Sequence, residues 1–363
     1  MIVGFSGCFC TLFIFLSEIL KPECIFVKLK AERGNMLQRT ILIMECSRIF
    51  SLPMSIFSWL VVFVYGAMYS GNILYGILAL LGICFAHLGT NTADDYFDYK
   101  SLIRQVDFDK AEYLKNSQKT KCRYLVSGIL SETDLLKVIV FYFAIALLIG
   151  LFLFLKCGIG VLYFVLAGGI TGIIYPFISK ICLSEAAVAL AYGPILFGGV
   201  FYVMTGDYSA DVFLLCIPTM IMTVVLLYIH TVMDYEYDLK EGHLTVANRF
   251  NSQLDALVIL KVILILAYLA IIFLCIFDVA DWQILLTYIT IPLATDLYMS
   301  LKSFAVNPDN VPERKWYHFP MENLEYFENR NEDAFMIRMY QSRNLMIYFS
   351  LFMVLGIILS LGL

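Results

Sequence analysis

Long apolar stretches alternate with short polar segments along most of this chain. Several of them reach the roughly 20 residues that a helix needs to cross a bilayer. They fall at about 49–69, 71–92, 134–155, 158–176, 185–205, 212–233, 256–277, 281–301 and 343–363. Lipid cannot satisfy exposed backbone groups, and the stretches lack the strict alternation of a membrane barrel. The pattern therefore predicts an all-α, polytopic membrane protein with about nine transmembrane helices.

Composition agrees with this pattern and narrows the class of protein. Hydrophobic residues make up 61% of the chain and charged residues only 15%, so an ordinary soluble domain is excluded. The expected partner is the lipid bilayer. Nucleic acid is not expected, because no basic stripe is present. Neither composition nor charge predicts the oligomeric state.

The first residues form a separate segment in this interpretation. We divide the chain into an N-terminal extension, 1–44, and a transmembrane domain, 45–363. The apolar run 1–20 lacks the charged leader and cleavage site of a signal peptide. It is either an extra anchor helix or part of an over-extended start, with Met36 as the true beginning.

Basic residues cluster in alternate loops and thereby predict the orientation. They lie after the second span, after the sixth and before the last, for example at Arg123, Lys240 and Arg338. The opposite loops hold mainly acids, such as Asp207 and Asp278. The positive-inside rule then places the basic loops in the cytoplasm. We expect an integral membrane protein, in the plasma membrane if the cell is bacterial, with its active site facing the cytoplasm.

Two acidic clusters occur at matching points of this pattern. They read NTADDYFD at 91–98 and HTVMDYEYD at 230–238, and Asp95 aligns with Asp234. Each cluster lies where an apolar run meets a polar loop, and carboxylates beside hydrocarbon are usually functional. The match predicts an internal repeat of four plus four spans, closed by the ninth. Parallel repeats would bring the clusters face to face across a central cavity.

The spacing of these residues predicts a metal site. On a helix, Asn91, Asp95 and Asp98 share one face, as do His230, Asp234 and Asp238. Mg²⁺ prefers carboxylate, water and phosphate oxygens. The predicted metal ligands are Asp94, Asp95, Asp98, Asp234 and Asp238. Cations that could share a diphosphate with the metal are Lys100, Arg123, Lys180 and Lys240. A prenyl diphosphate, with a polar head and an apolar tail, is the substrate implied.

Other interpretations remain open at this point. The acids could be solvated helix ends, the ion sites of a secondary transporter, or residues of a non-catalytic membrane scaffold. His87 lies one turn before Asn91 and is expected to be a hydrogen-bonded histidine within the bundle rather than a haem or metal ligand. The aromatic run 316–320 is expected to anchor a loop at the membrane interface, or to form a lid over the cavity.

The motifs together resemble the UbiA superfamily of intramembrane prenyltransferases over roughly 45–363. The first cluster is similar to the N-x-x-x-D-Y-F-D form of the menaquinone branch. The second resembles the family's D-x-x-x-D motif and is followed by Gly242, Thr245 and Ala247. Further similar stretches are Arg48-x-x-Ser51-Leu52-Pro53, Arg123-x-Leu125-x-Ser127-Gly128, Tyr175-Pro176, Glu185 and Gly193-Pro194.

The resemblance implies magnesium-dependent transfer of a prenyl group to an acceptor inside a helical bundle with a central cavity. It implies that the metals are carried by Asp95, Asp98, Asp234 and Asp238 as catalytic residues. Substrate binding would involve Asn91, which orients the first cluster, and Arg123 and Lys180, which would bind the diphosphate. It would also involve the cavity aromatic Tyr175 and, near the acceptor, Glu185. Lys240 is not part of the family pattern, but it could supply the cation that the family has after the motif glycine, although it lies on a different face.

Two departures from the menaquinone branch bear on the acceptor. His230 stands where that branch usually has Asn, and His243 stands where it usually has Lys. 1,4-Dihydroxy-2-naphthoate is the acceptor that the first motif favours. A different quinone precursor or a specialised aromatic product is the next interpretation, and haem, a glycerophospholipid or a sugar remain as non-quinone acceptors.

Overall fold

The computed structural model describes residues 42–105, 108–116, 122–179, 181–241, 244–321, 324–329 and 332–360. Across these segments, nine helices are long and apolar enough to cross a membrane. We number them α1 (Ile49–Met68), α2 (Ile73–Leu102), α3 (Glu132–Cys157), α4 (Gly160–Ile178), α5 (Ser184–Thr205), α6 (Ala210–Met233), α7 (Gln253–Ile276), α8 (Trp282–Val306) and α9 (Asp333–Ser360). The prediction of an all-α polytopic protein is confirmed. The apolar run 1–20 and most of the N-terminal extension lie outside the described residues.

Short helices connect the spans on the side that carries the acidic clusters. They are Lys110–Asn116 and Arg123–Ser127 between α2 and α3, Tyr235–Glu241 and the 3₁₀ turn Ala247–Arg249 after α6, and Trp316–His318 and Leu324–Glu328 before α9. The part of the chain that is described contains no strand beyond one isolated bridge between Ile181 and Leu244.

Several spans begin at a polar residue that caps the helix. Asn72 accepts a hydrogen bond from the backbone N–H of Tyr75 at the start of α2. Serines perform the same function before α3, α6 and α7. Such caps satisfy N–H groups that the first helical turn leaves unpaired. The sequence thereby sets where these helices begin, while the apolar run sets how far they cross the bilayer.

Two helices extend well beyond the predicted apolar spans. α2 continues to Leu102, so the first acidic cluster lies within a helix rather than at its end. α9 begins at Asp333, before the predicted start at 343. Hydropathy locates only the part of a helix that lies in hydrocarbon, because the backbone remains helical where polar side chains meet water or protein. The second cluster differs, since α6 ends at Met233 and a break at Asp234 precedes the next helix.

The spans differ in how much protein surrounds them. In α1, 83% of the membrane window is buried, whereas the value is 11% for both α3 and α4. α1 is therefore a central helix, and α3 and α4 present most of their surface to lipid. α9 packs against α1, α6 and the first half of α8, and so closes the bundle as expected. α2 packs on α3 and α6 packs on α7, at equivalent places in the two halves.

α5 is interrupted in its middle by a wider π turn, Ala191–Ile195. Gly193 has non-helical backbone angles there, and Pro194 follows it. Proline cannot donate the backbone hydrogen bond of a regular helix, which accounts for a break at this point. Backbone of this kind is tolerated at membrane depth only where protein or a polar cavity surrounds it.

The loop between α8 and α9 is held against the bundle by one carboxylate. Asp296 accepts hydrogen bonds from Lys315 Nζ (2.8 and 2.9 Å) and from the Tyr317 hydroxyl (2.5 Å). His318 Nε2 lies 3.1 Å from the same carboxylate and is only 1% exposed. Trp316 is 86% exposed beside them. This fixed attachment favours an interfacial anchor over a freely opening lid.

Candidate active site

The first acidic cluster is built around one arginine that precedes α1. Asp94 and Asp95 on α2 are buried, with 3% and 5% of their surface exposed. Arg48 Nη2 lies 3.2 Å from Asp94 Oδ2 and also donates to Asp95 Oδ1. Burial by itself would lower the pKa of Arg48, but the two carboxylates raise it above its ordinary value. Buried carboxylates need such a partner, because an unpaired buried charge is costly.

The local backbone explains how Arg48 reaches α2. Arg48 adopts a left-handed conformation (φ 54°, ψ 52°) at the start of the 3₁₀ turn Ile49–Ser51. Pro53 then starts the regular part of α1. Arg48 is not among the predicted site residues, although the stretch Arg48–Pro53 belongs to the family resemblance. A basic residue just before a first span has an ordinary explanation as a membrane anchor, so its charge alone did not reveal this role.

A row of hydrogen bonds continues from this cluster into the membrane along α2. Asn91 Nδ2 donates to the Ser51 hydroxyl (2.9 Å) and to the Ser47 carbonyl (3.3 Å). His87, one turn deeper, contacts the hydroxyls of Ser51, Ser55 and Tyr192. Asn91 and Asp95 therefore share a face directed at α1, as their spacing predicts.

Two of the predicted cations, Arg123 and Lys100, follow the first cluster in the chain. The half-buried Arg123 begins a short helix whose preceding residue, Cys122, donates its thiol to the Asp95 carbonyl (3.2 Å). Arg123 and the half-buried Asp98 thus belong to the same region of the protein. Lys100 forms an ion pair with Glu132 at 2.6 Å, which links α2 to α3.

The second cluster surrounds the break after α6. His230 Nδ1 lies 3.2 Å from Asp234 Oδ2, and the Asp238 N–H donates to the Asp234 carbonyl (2.9 Å). Asp238 is 7% exposed, whereas Lys240 on the same short helix is exposed. The ring of Phe335 packs edge-on against His230. The start of α9 therefore lies against the second cluster.

Two further residues of the predicted site, Tyr175 and Glu185, lie on α4 and α5. Tyr175 on α4 lies within electrostatic range of both Arg48 and Tyr192. Glu185 on α5 lies within the same kind of range of Tyr228 on α6. The Ser184 hydroxyl donates to Glu185 Oε2 (2.7 Å), while buried Oε1 has no hydrogen-bond partner among the described residues. Lys180 and His243 lie outside the described residues.

The donor atoms suit a metal that is shared with a substrate. Among the residues that the structure describes, no three Asp, Glu, His or Cys side chains are grouped to hold a metal ion. The aspartate oxygens are nevertheless the donors that Mg²⁺ prefers, and Mg²⁺ usually completes its coordination with water and substrate phosphates. The residues therefore fit a metal–diphosphate complex better than a permanently caged ion.

Solved structures of other proteins share this fold. A UbiA homologue from Archaeoglobus fulgidus, bound to GPP and Mg²⁺, is 15% identical, with a TM-score of 0.54, over 84% of this chain and 99% of its own. An apo UbiA homologue from Aeropyrum pernix K1 is also 15% identical, with a TM-score of 0.53, over 85% and 98%. A digeranylgeranylglyceryl phosphate synthase is 14% identical, with a TM-score of 0.51, over 88% and 99%.

These low identities show the fold alone. No curated protein sequence matches the chain significantly. The sequence model of the UbiA prenyltransferase family, however, matches residues 54–323, which is well over half of the chain. That match covers both acidic clusters and the polar residues between them. The chain thus belongs to the UbiA prenyltransferase family, as an integral membrane prenyltransferase.

Proposed function

We propose that this protein transfers a prenyl group from a magnesium-bound prenyl diphosphate to an aromatic acceptor. The observation that carries the proposal is the buried Asp94–Asp95 pair, held by Arg48 on the face of α2 that also carries Asn91. The related structure with bound GPP and Mg²⁺ has the same fold. Membership of a prenyltransferase family argues against the transporter and scaffold interpretations.

Each predicted site residue has a place in this proposal. The residues that would hold magnesium are Asp94, Asp95, Asp98, Asp234 and Asp238. Bound there, the metal would supply positive charge that neutralises the departing diphosphate. Arg48, which donates to Asp95, would add fixed positive charge. Arg123 is proposed to do the same, and its support is that the neighbouring Cys122 bonds the Asp95 carbonyl. Lys240 and Lys180 remain proposed cations on the basis of sequence alone.

Chemistry then depends on keeping water away from an allylic cation. The C–O bond to the diphosphate breaks, and the prenyl carbon becomes electron-poor. The ring of Tyr175 would stabilise such a cation by cation–π attraction; its electrostatic interaction with Arg48 supports this role. Glu185, whose Oε1 lacks a partner in the described structure, is available to a polar group of the acceptor. An electron-rich ring then attacks the prenyl carbon.

For the acceptor, we propose 1,4-dihydroxy-2-naphthoate or a related quinone precursor. Support comes from the residues of the first motif, which are similar to those of the menaquinone branch. We also propose that the catalytic unit is 45–363 and that the site faces the cytoplasm. The positive-inside pattern of the loops supports that orientation.

The test replaces one aspartate in each cluster with asparagine. Asp95→Asn and Asp234→Asn, each in the full-length chain in lipid nanodiscs, should lower prenyl transfer from geranyl diphosphate to 1,4-dihydroxy-2-naphthoate by about 10²-fold or more. The reason is that asparagine keeps the volume but removes the charge that binds the metal. Product formation is measured by mass spectrometry, with Mg²⁺ and with chelator.

Asp207→Asn is the matched control, because Asp207 is exposed in the loop between α5 and α6. It should leave the rate unchanged. Retention of full, magnesium-dependent activity by both cluster variants would refute the proposed site. Transfer to other aromatic rings but not to the naphthoate would refute only the acceptor.

A further inference from the structure

We propose that Tyr192 binds a hydroxyl group of the acceptor and that His87 behind it receives the proton. This inference rests on the proposed function and assigns the acceptor to aromatic compounds that bear a hydroxyl group. The Tyr192 hydroxyl lies 3.0 Å from His87 Nδ1 and 3.2 Å from Nε2. Neither residue was given a catalytic role by the sequence.

The hydrogen bonds around His87 determine which of its nitrogens carries the proton. The Ser51 hydroxyl donates its single hydrogen to the Arg48 carbonyl at 2.8 Å. Ser51 Oγ is therefore an acceptor toward its other neighbours, Asn91 Nδ2 at 2.9 Å and His87 Nε2 at 3.0 Å. With the Ser51 hydrogen directed at the Arg48 carbonyl, His87 carries its own hydrogen on Nε2, and Nδ1 is the nitrogen with the lone pair.

Two hydroxyl groups lie near Nδ1. Ser55 Oγ is 2.7 Å from it and is the closer partner, whereas Tyr192 Oη lies at similar distances from both ring nitrogens and therefore off the lone-pair direction of Nδ1. The Tyr192 and Ser55 hydroxyls are also hydrogen-bonded to each other, so Ser55 connects Tyr192 to Nδ1. A hydroxyl in that position readily accepts a further hydrogen bond from a ligand, because its oxygen has two lone pairs.

The depth of His87 suits an acceptor beneath the diphosphate. Asp95, Asn91 and His87 follow one another at intervals of four residues on one face of α2. At about 1.5 Å per residue, His87 lies roughly 12 Å deeper than Asp95 along the helix. A diphosphate held at the aspartates would thus have its reacting carbon and the acceptor ring in the layer between Asp95 and His87.

The broken part of α5 supports a ligand-binding role for Tyr192. Tyr192 lies inside the π turn Ala191–Ile195, next to the non-helical Gly193. π turns within helices are frequent at functional sites, and irregular backbone at membrane depth commonly lines a cavity. Tyr192 also lies within electrostatic range of Tyr175, the aromatic residue beside Arg48.

The proposed step balances in atoms and charge. The C–O bond of the prenyl diphosphate breaks, and its electron pair leaves on the diphosphate. A π electron pair of the acceptor ring forms the new C–C bond. The acceptor hydroxyl passes its proton to Tyr192 Oη, Tyr192 passes its own to Ser55 Oγ, and Ser55 passes its own to His87 Nδ1. The neutral dienone then becomes aromatic again: the attacked carbon releases its proton to the departed diphosphate, and the acceptor oxygen regains a proton from His87 through Ser55 and Tyr192.

The test uses two variants that preserve volume. His87→Gln keeps a donor and an acceptor but is not a base, and Tyr192→Phe removes only the hydroxyl. Each should lower kcat for 1,4-dihydroxy-2-naphthoate about 10²-fold. The Kd of geranyl diphosphate with Mg²⁺, measured by calorimetry, should change less than about 2-fold, because the aspartates and Arg48 are untouched.

A second measurement separates catalysis from structure. Tyr192→Phe should weaken binding of the hydroxyl-bearing naphthoate about tenfold but leave binding of its dimethyl ether unchanged, because the ether has no hydroxyl to donate. Tyr202→Phe is the matched control. The Tyr202 hydroxyl donates to the Cys157 carbonyl, near the ends of α3 and α5 that lie away from the acidic clusters. It should retain wild-type kcat.

The outcomes distinguish this inference from the proposed function. If wild-type protein prenylates no hydroxyl-bearing aromatic, the proposed function fails. If wild-type protein is active but His87→Gln and Tyr192→Phe match it in kcat, only the present inference is overturned. Equal losses of geranyl diphosphate binding and of kcat would show a structural role and would overturn it as well.

Discussion

Arg48 and Tyr192 each interact with a partner that is far away in the chain. Arg48 is separated from Asp94 and Asp95 by 46 and 47 residues, and Tyr192 from His87 by 105. A residue's type states what chemistry it can perform. Its partner decides whether that chemistry occurs, because hydrogen bonds and ion pairs form only at contact distances.

Glu45, in the turn of helix before α1, supplies a prediction at this scale. Burial raises the pKa of Glu45 from 4.5 to about 7. As the pH rises through that interval, the unfolded chain loses this proton before the folded protein does, so the folded state loses stability. Glu45→Gln removes the effect. The thermal midpoint of the variant minus that of wild type should therefore increase as the pH rises from about 5 to about 8.

Unfolding of purified protein in one detergent, followed by intrinsic fluorescence, measures this difference. Glu313→Gln serves as the control because Glu313 is exposed in the loop before α9. The control should show the same offset from wild type at both pH values. A constant offset for Glu45→Gln as well would contradict the prediction.

At the scale of the helix, glycines mark where two spans approach closely. A Cβ added to Gly356 on α9 would lie 2.6 Å from Ile284 Cα and 2.7 Å from the Gln283 carbonyl oxygen on α8. Backbone atoms cannot rotate away as a side chain can. Small residues at helix contacts are what allow spans to pack in lipid, where the hydrophobic effect contributes little between helices.

Gly356→Ala should therefore destabilise the protein by about 1–3 kcal/mol. Gly169→Ala is the matched variant, because a Cβ there meets nothing within 4 Å. It should be neutral or slightly stabilising, since alanine favours helix over glycine. Thermal midpoints of both variants in the same detergent measure the difference. Equal midpoints would mean that α8 and α9 do not pack as closely as described.

The whole molecule is a bundle whose polar loops are attached to it on the side of the acidic clusters. Asp296 on α8 holds the loop before α9 through Lys315, Tyr317 and His318. Asn344 on α9 holds the same loop by donating to the His318 and Pro320 carbonyls, each at 2.7 Å. The loop thereby joins α8 to α9, and α9 in turn reaches His230 of the second cluster through Phe335.

Asp296→Asn should release this loop. Hydrogen bonds to a charged group contribute about 1.5–3 kcal/mol, so the loop should open at least about tenfold more often. Limited trypsin digestion at Arg314 and Lys315 should accelerate by that factor. Asp309→Asn changes an exposed aspartate in the same loop and should not alter the rate. Equal digestion of both variants would show that Asp296 does not hold the loop.

The all-helical class, the number of spans and the family can all be read from the sequence. These follow from local information, because a bilayer requires each crossing segment to satisfy its own backbone within the helix. The two motifs also identified which helices carry the carboxylates. The predicted helix ends were less accurate, as α2 and α9 show. Hydropathy cannot detect the part of a helix that continues outside the hydrocarbon.

Which side chains meet could not be read from the sequence and became clear from the folded bundle. Arg48 appeared in sequence as part of a motif before the first span, and His87 as an ordinary bundle histidine. Packing of α1 on α2 placed Arg48 between two carboxylates. The broken α5 placed Tyr192 against His87. Such contacts depend on the relative rotation and depth of whole helices. Those are set by packing across the bundle, which no local pattern along the chain encodes.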